Sequence, residues 1–148
     1  MNRYSTFLRA TLATGVAAAA LTGCGMMSSS STATFTGTLN GASEVPPNMT
    51  SGSGSATASL DKNTNLLKYK VTYSGLTGPA TAAHFHGPAA AGANAGVVIP
   101  FANPASPIEG QVTLTSAQAA DLLAGKWYVN IHTAANAAGE IRGQMLPR

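Results

Sequence analysis

Trp127-Tyr128-Val129-Asn130-Ile131-His132-Thr133 decides how this chain folds, because apolar and polar side chains alternate through it without a break. Successive side chains of a strand point to opposite faces, so Trp127, Val129 and Ile131 share a core face while Tyr128, Asn130 and His132 share the other. Glu140-Ile141-Arg142-Gly143-Gln144-Met145 splits in the same way, with Ile141 and Met145 inward and Glu140, Arg142 and Gln144 outward. Residues Ala134 to Ala138 can close the two as a hairpin. If Thr133 pairs with Gly139, His132 falls opposite Glu140, Asn130 opposite Arg142, and Tyr128 opposite Gln144. A slip of one residue would exchange the two faces of the strand, so only even shifts compete with this register. The expected outcome is a polar patch of Asn130, His132, Glu140 and Arg142.

Outward from this hairpin, short runs rich in Val, Ile, Thr, Tyr and Phe alternate with Gly, Pro, Asn and Ser clusters. Strands are expected over Ala33–Leu39, Gly54–Leu60, Leu66–Tyr73, Thr81–His86, Gly96–Phe101, Glu109–Leu114, Trp127–Thr133 and Gly139–Met145. Asp61-Lys62-Asn63-Thr64-Asn65 has the chemistry of a turn between two of them. In the second of that pair, Leu67, Tyr69, Val71 and Tyr73 occupy one face, with Lys68 and Lys70 on the other. One helix interrupts the strands. Thr115-Ser116-Ala117-Gln118 fits a capping box, Gly125 suits a left-handed terminus, and Ala119, Leu122 and Leu123 form a small apolar stripe between them. The fold class expected is all-β: a single antiparallel Greek-key β-sandwich of about eight strands with one short helix.

The first residues read differently. Residues 1–23 combine a cationic start with Arg3 and Arg9, an apolar stretch from Ala10 to Leu21 and small residues at the end, the pattern of a secretory signal. Leu21-Thr22-Gly23-Cys24 resembles the lipobox of bacterial lipoproteins, which implies that Cys24 is the lipidated first residue of the mature chain. Residues 24–32, with Gly25-Met26-Met27 and a serine run, suit a flexible tether, and 33–148 form the folded domain. Gly25 is not the Asp associated with retention at the inner membrane, so the resemblance implies a cell-envelope location at the outer membrane. Of the 148 residues 9% are charged, and much of the 45% apolar fraction is Ala. Without residues 1–23, six basic residues stand against five acidic ones, a net charge of +1. Nothing here suits nucleic acid.

All three histidines fall in expected strands. His84 and His86, two apart, project to one side, and His132 can join them if its strand is a neighbour. Neutral imidazoles suit copper or zinc, and Glu140 can then orient His132 from behind. The candidate metal or polar-patch residues are therefore His84, His86 and His132, supported by Asn130, Glu140 and Arg142. Neither a Gly-x-Ser-x-Gly elbow nor a second carboxylate beside Glu140 points to hydrolytic chemistry.

Thr81-Ala82-Ala83-His84-Phe85-His86-Gly87-Pro88, Leu122 to Thr133, Gly139 to Gln144, and the earlier Leu39-Asn40-Gly41-Ala42-Ser43-Glu44-Val45-Pro46-Pro47 occur in an order that resembles the CHRD domain. That domain takes its name from chordin and is widespread in bacterial secreted proteins. The resemblance covers roughly residues 33–146 and implies an immunoglobulin-like or Cu/Zn-superoxide-dismutase-like sandwich of unassigned activity. Two functions are expected from these readings. One is a membrane-anchored binding or structural module whose partners are the membrane, through the lipid on Cys24, and an envelope or extracellular protein. The alternative is a copper- or zinc-binding protein using the His-x-His pair plus the third His. Neither requires the chain to be an enzyme.

Overall fold

Alternating segments become strands wherever the apolar face has something to cover, and the computed structural model shows eight of them. It describes Met1 and residues 30–148, so the expected signal segment, Cys24 and most of the expected tether lie outside the described residues. The strands are β1 (Thr32–Asn40), β2 (Ser53–Asp61), β3 (Leu66–Ser74), β4 (Ala80–His86), β5 (Val97–Pro100), β6 (Ile108–Thr113), β7 (Trp127–Thr133) and β8 (Ile141–Pro147). The helix α1 spans Ser116–Leu123. Every expected element is present, with ends displaced by at most two residues.

The strands form one antiparallel sheet in the order β5-β4-β7-β8-β1-β2-β3-β6. It curls so that its two halves cover one core, as the expected sandwich requires. Tyr69 of β3 meets Phe85 of β4 edge-on at 5.2 Å between ring centroids and stacks on Phe101 at 4.9 Å, although β3 and β4 stand far apart in the strand order. Such offset and edge-to-face pairs add to the burial of the rings themselves. After β4 and β5 cross to the other half, β6 returns beside β3, the return of a Greek key.

Local chemistry fixes the ends of these elements. Asp61 Oδ1 accepts from the backbone N–H of Asn63 and Thr64 at 2.8 and 3.1 Å, which turns β2 into β3. Thr115 Oγ1 accepts from Gln118 N–H at 3.2 Å while Gln118 Oε1 accepts from Thr115 N–H at 2.9 Å, the reciprocal cap expected for α1. Ala119 and Leu122 are buried, but Leu123 lies on the solvent side, so the apolar stripe of the helix is narrower than expected.

The faces of β7 hold as expected, with one difference that matters for function. Trp127, Val129 and Ile131 are fully buried in the apolar core, yet Tyr128 and Asn130 on the opposite face are buried as well. The segments 41–48 and 87–96 cover that second face, through contacts set out below. The sheet therefore has an apolar interior on one side and a polar interior on the other.

Candidate functional site

The polar interior is built across three adjacent strands. β4 pairs with β7 so that Ala82 faces His132, His84 faces Asn130 and His86 faces Tyr128. β7 pairs with β8 so that Asn130 faces Arg142 and Tyr128 faces Gln144, as counted from the hairpin. Strand order, which alternation cannot reveal, thus places the His-x-His pair beside His132.

The three rings form a cluster in which one nitrogen from each lies within 4.8 Å of the others. His84 Nδ1 is 3.2 Å from His132 Nε2. His132 Nδ1 faces the Ala137 carbonyl at 3.0 Å, and His86 Nδ1 faces the Ala95 carbonyl at 3.0 Å. A carbonyl only accepts, so in the neutral rings both Nδ1 atoms carry the proton and both Nε2 atoms present a lone pair. His84 Nδ1–H is then the donor to His132 Nε2. His86 Nε2 is buried and has no hydrogen-bond partner. Burial, reinforced by the neighbouring His132 and His86 rings, pushes the titration of His84 down. Burial also lowers His86, although the Ala95 carbonyl pulls the other way. Uncharged imidazoles are the state such an environment favours.

Arg142 is the most deeply buried cation of the site, with 1% of its surface exposed. Its guanidinium donates to the Asn94 side-chain oxygen at 2.9 Å and to the Ala93 carbonyl at 2.6 Å, which ties down the loop between β4 and β5. It lies 3.5 Å from the centre of the Tyr128 ring, a cation–π contact. His86, on the strand at the other side of β7, stacks parallel to the same ring at 4.8 Å. Gln144 adds bonds to the carbonyls of Ala89 and Gly125. A cleft of about 380 Å³ opens beside Arg142, Gln144 and Glu44.

Glu140 departs from expectation. It does not join the patch beside His132, and the acceptor behind His132 is the Ala137 carbonyl instead. The ladder between β7 and β8 ends at the pair Ile131 and Ile141, one step short of His132 and Glu140. Both faces of the sheet are covered here, so Glu140 and Ile141 are buried on opposite sides, and the backbone bends at Glu140 instead of continuing the strand. Gly139, at φ +138°, supplies the irregular backbone that turns Glu140 toward Thr133. There its carboxylate accepts from the hydroxyls of Thr50, Thr77 and Thr133 and from the Thr77 N–H, at 2.5–2.7 Å. Burial alone would raise its pKa, but these four donors outweigh it and hold the carboxyl at about 2. Asn48 closes the arrangement by donating to the carbonyls of Gly139 and Glu140.

The carboxylate of the patch is Glu44, which the residue pattern did not single out as part of a site. Its two oxygens accept from Asn130 Nδ2 at 2.8 and 3.0 Å. Glu44 is 5% exposed, and its burial pushes the pKa up to about 7 against the opposing pull of Arg142, the Val45 backbone and Asn130. A raised carboxyl means the folded state binds the proton more tightly than the unfolded chain, so stability falls as pH rises from about 4.5 through 7. The variant Glu44→Gln is expected to melt at a higher temperature than the wild type at pH 8 and to lose that advantage at pH 5. Melting curves at the two pH values check this, and a constant difference would refute it.

An antiparallel sandwich with a buried polar layer defines a class of β domain in which loops are fastened onto a sheet. The CHRD domain family model matches residues 35–145, and the chain belongs to that family. No curated protein and no solved structure matches it.

Proposed function

We propose that this chain is an envelope lipoprotein whose CHRD domain serves as a binding or structural module, held at the outer membrane by lipid on Cys24. The observation that supports the module reading most directly is the polar interior itself. Arg142, Glu44, Asn130 and Glu140 are all buried, and their bonds run mainly to loop segments. Such a network fixes loop shape, which is what a recognition surface needs. The anchor rests on Leu21-Thr22-Gly23-Cys24 and on the tether-like run that follows it. In cells fed a labelled fatty acid, the wild-type chain is expected to take up label and sediment with membranes. Cys24→Ser is expected to do neither, and membrane sedimentation equal to that of the wild type would overturn the anchor.

A second reading, metal binding by His84, His86 and His132, is favoured by one observation: the 3.2 Å approach of His84 Nδ1 to His132 Nε2 in a cluster with a third ring.

A further inference from the structure

We propose that His84 Nδ1, His86 Nε2 and His132 Nε2 are the ligand atoms of a three-imidazole copper site with an open fourth position. This assignment rests on the metal-binding reading above and specifies it.

Two of the rings are already in the form a metal requires. His86 and His132 each donate Nδ1–H to a backbone carbonyl, of Ala95 and Ala137, and so each offers Nε2 as a lone pair. Metal-ligating histidines are commonly oriented by such a bond from their other nitrogen, which fixes both tautomer and ring direction. The buried His86 Nε2 has no protein partner, and an unsatisfied buried acceptor is costly unless something else occupies it. Ligand nitrogens at 2.0–2.1 Å from a tetrahedral ion stand about 3.4 Å apart. His84 Nδ1 and His132 Nε2, at 3.2 Å, already meet that spacing. The ion takes the place of the hydrogen bond between them, with the His84 proton moved to its Nε2 so that the ring stays neutral. The third nitrogen, within 4.8 Å of both, closes in by a small shift that keeps the bond to Ala95.

The donor set also selects the ion. Among the described residues no carboxylate joins the group, because Glu140 is turned toward the threonines and Glu44 is bound to Asn130. Three neutral nitrogens are poor ligands for calcium or magnesium, which take oxygen. Imidazole suits copper and zinc, and the affinity order of divalent ions puts copper first. All three residues are half-buried, so water or a small external ligand can reach the fourth position.

The test is calorimetric titration of the purified full-length chain, stripped with chelator, with Cu(II), Cu(I) and Zn(II) in separate runs. A Cys24→Ser background removes the thiol as a competing ligand. The expected result is one equivalent of copper bound more tightly than micromolar and more tightly than zinc, with nitrogen hyperfine structure in the Cu(II) resonance spectrum. His84→Ala, His132→Ala and His86→Phe are each expected to weaken binding by more than about tenfold. His86→Phe keeps a ring against Tyr128 but has no lone pair, and circular dichroism establishes that each variant is folded. Tight copper binding that survives His86→Phe would overturn the three-ligand assignment while leaving metal binding in place. Tighter binding of zinc than copper would overturn the choice of ion. No binding tighter than micromolar by any of the ions would overturn both the assignment and the reading beneath it.

Discussion

Glu140→Ala is expected to lower the stability of the domain by about 3–4 kcal/mol, a fall in melting temperature of roughly 10–15 °C for a domain of this size. The carboxylate has no exposed surface, and it is the shared acceptor for three hydroxyls and the Thr77 N–H. Removing it leaves these four donors without their common acceptor. The segments that carry Thr50 and Thr77 would lose the group that fastens them to the end of β7. The pH dependence supplies a sharper check. A carboxyl at about 2 in the folded state and near 4.5 in the unfolded chain stabilises the fold fully above pH 4.5, and that contribution disappears as pH falls toward 2. A difference of that size corresponds to about 3 kcal/mol. The gap in unfolding free energy between the wild type and the uncharged Glu140→Gln should therefore be wide at pH 6 and reduced to about a quarter at pH 2.5. Urea melts at the two pH values decide it, and a gap that does not change with pH would refute the role given to the charge.

Gly139→Ala is expected to cost about 2–4 kcal/mol, although it adds only a methyl group. The φ of +138° lies where side chains are strained. A β-carbon there would run into the Asn130 side-chain amide and stand 2.6 Å from Glu44 Oε1. The methyl thus strikes the contact that joins the 41–48 segment to β7, and it opposes the backbone turn that aims Glu140 at Thr133. Two signatures are expected together in denaturant melts: a loss of stability and a weaker acid dependence, because Glu140 no longer meets all its donors. A Gly139→Ala variant as stable as the wild type would show that the turn can be made without positive φ.

What could be read from the chain, and what could not, follows the range of the forces involved. Alternation in residues 127–133 reports local geometry, so the strand, its two faces and the Asn130–Arg142 and Tyr128–Gln144 pairs were all legible. The capping residues Thr115 and Gln118 are equally local, and they placed α1. Alternation separates apolar from polar, however, and it does not separate polar-in-water from polar-under-a-loop. The burial of Asn130 and Arg142 was therefore invisible until the 41–48 and 87–96 segments were seen to cover them. Glu140 was misplaced because one glycine dihedral angle redirects it, and composition carries no record of that angle. Glu44 was missed for a related reason: it is an acidic residue in a loop, and its partner Asn130 lies 86 residues away. The neighbourhood of His84 and His132 depended on strand order, a long-range property that no spacing encodes.

β1 sits in the middle of the sheet, paired along its whole length with β2 and at Phe35, Thr36 and Asn40 with β8. The chain enters it at Thr32. Its far end, Asn40, lies on one transverse row with Arg142, Asn130 and His84, about 27 Å away at the rise of a strand. A pull on the segment ahead of Thr32, resisted by anything gripping the loops at the Asn40 end, runs along β1 and loads its hydrogen bonds on both sides in shear. Bonds loaded in this way share the force and fail together, whereas an edge strand peeled from its tip would give way one bond at a time. The same topology that buries the polar layer therefore resists a pull directed along β1, from Thr32 toward the row that ends at His84.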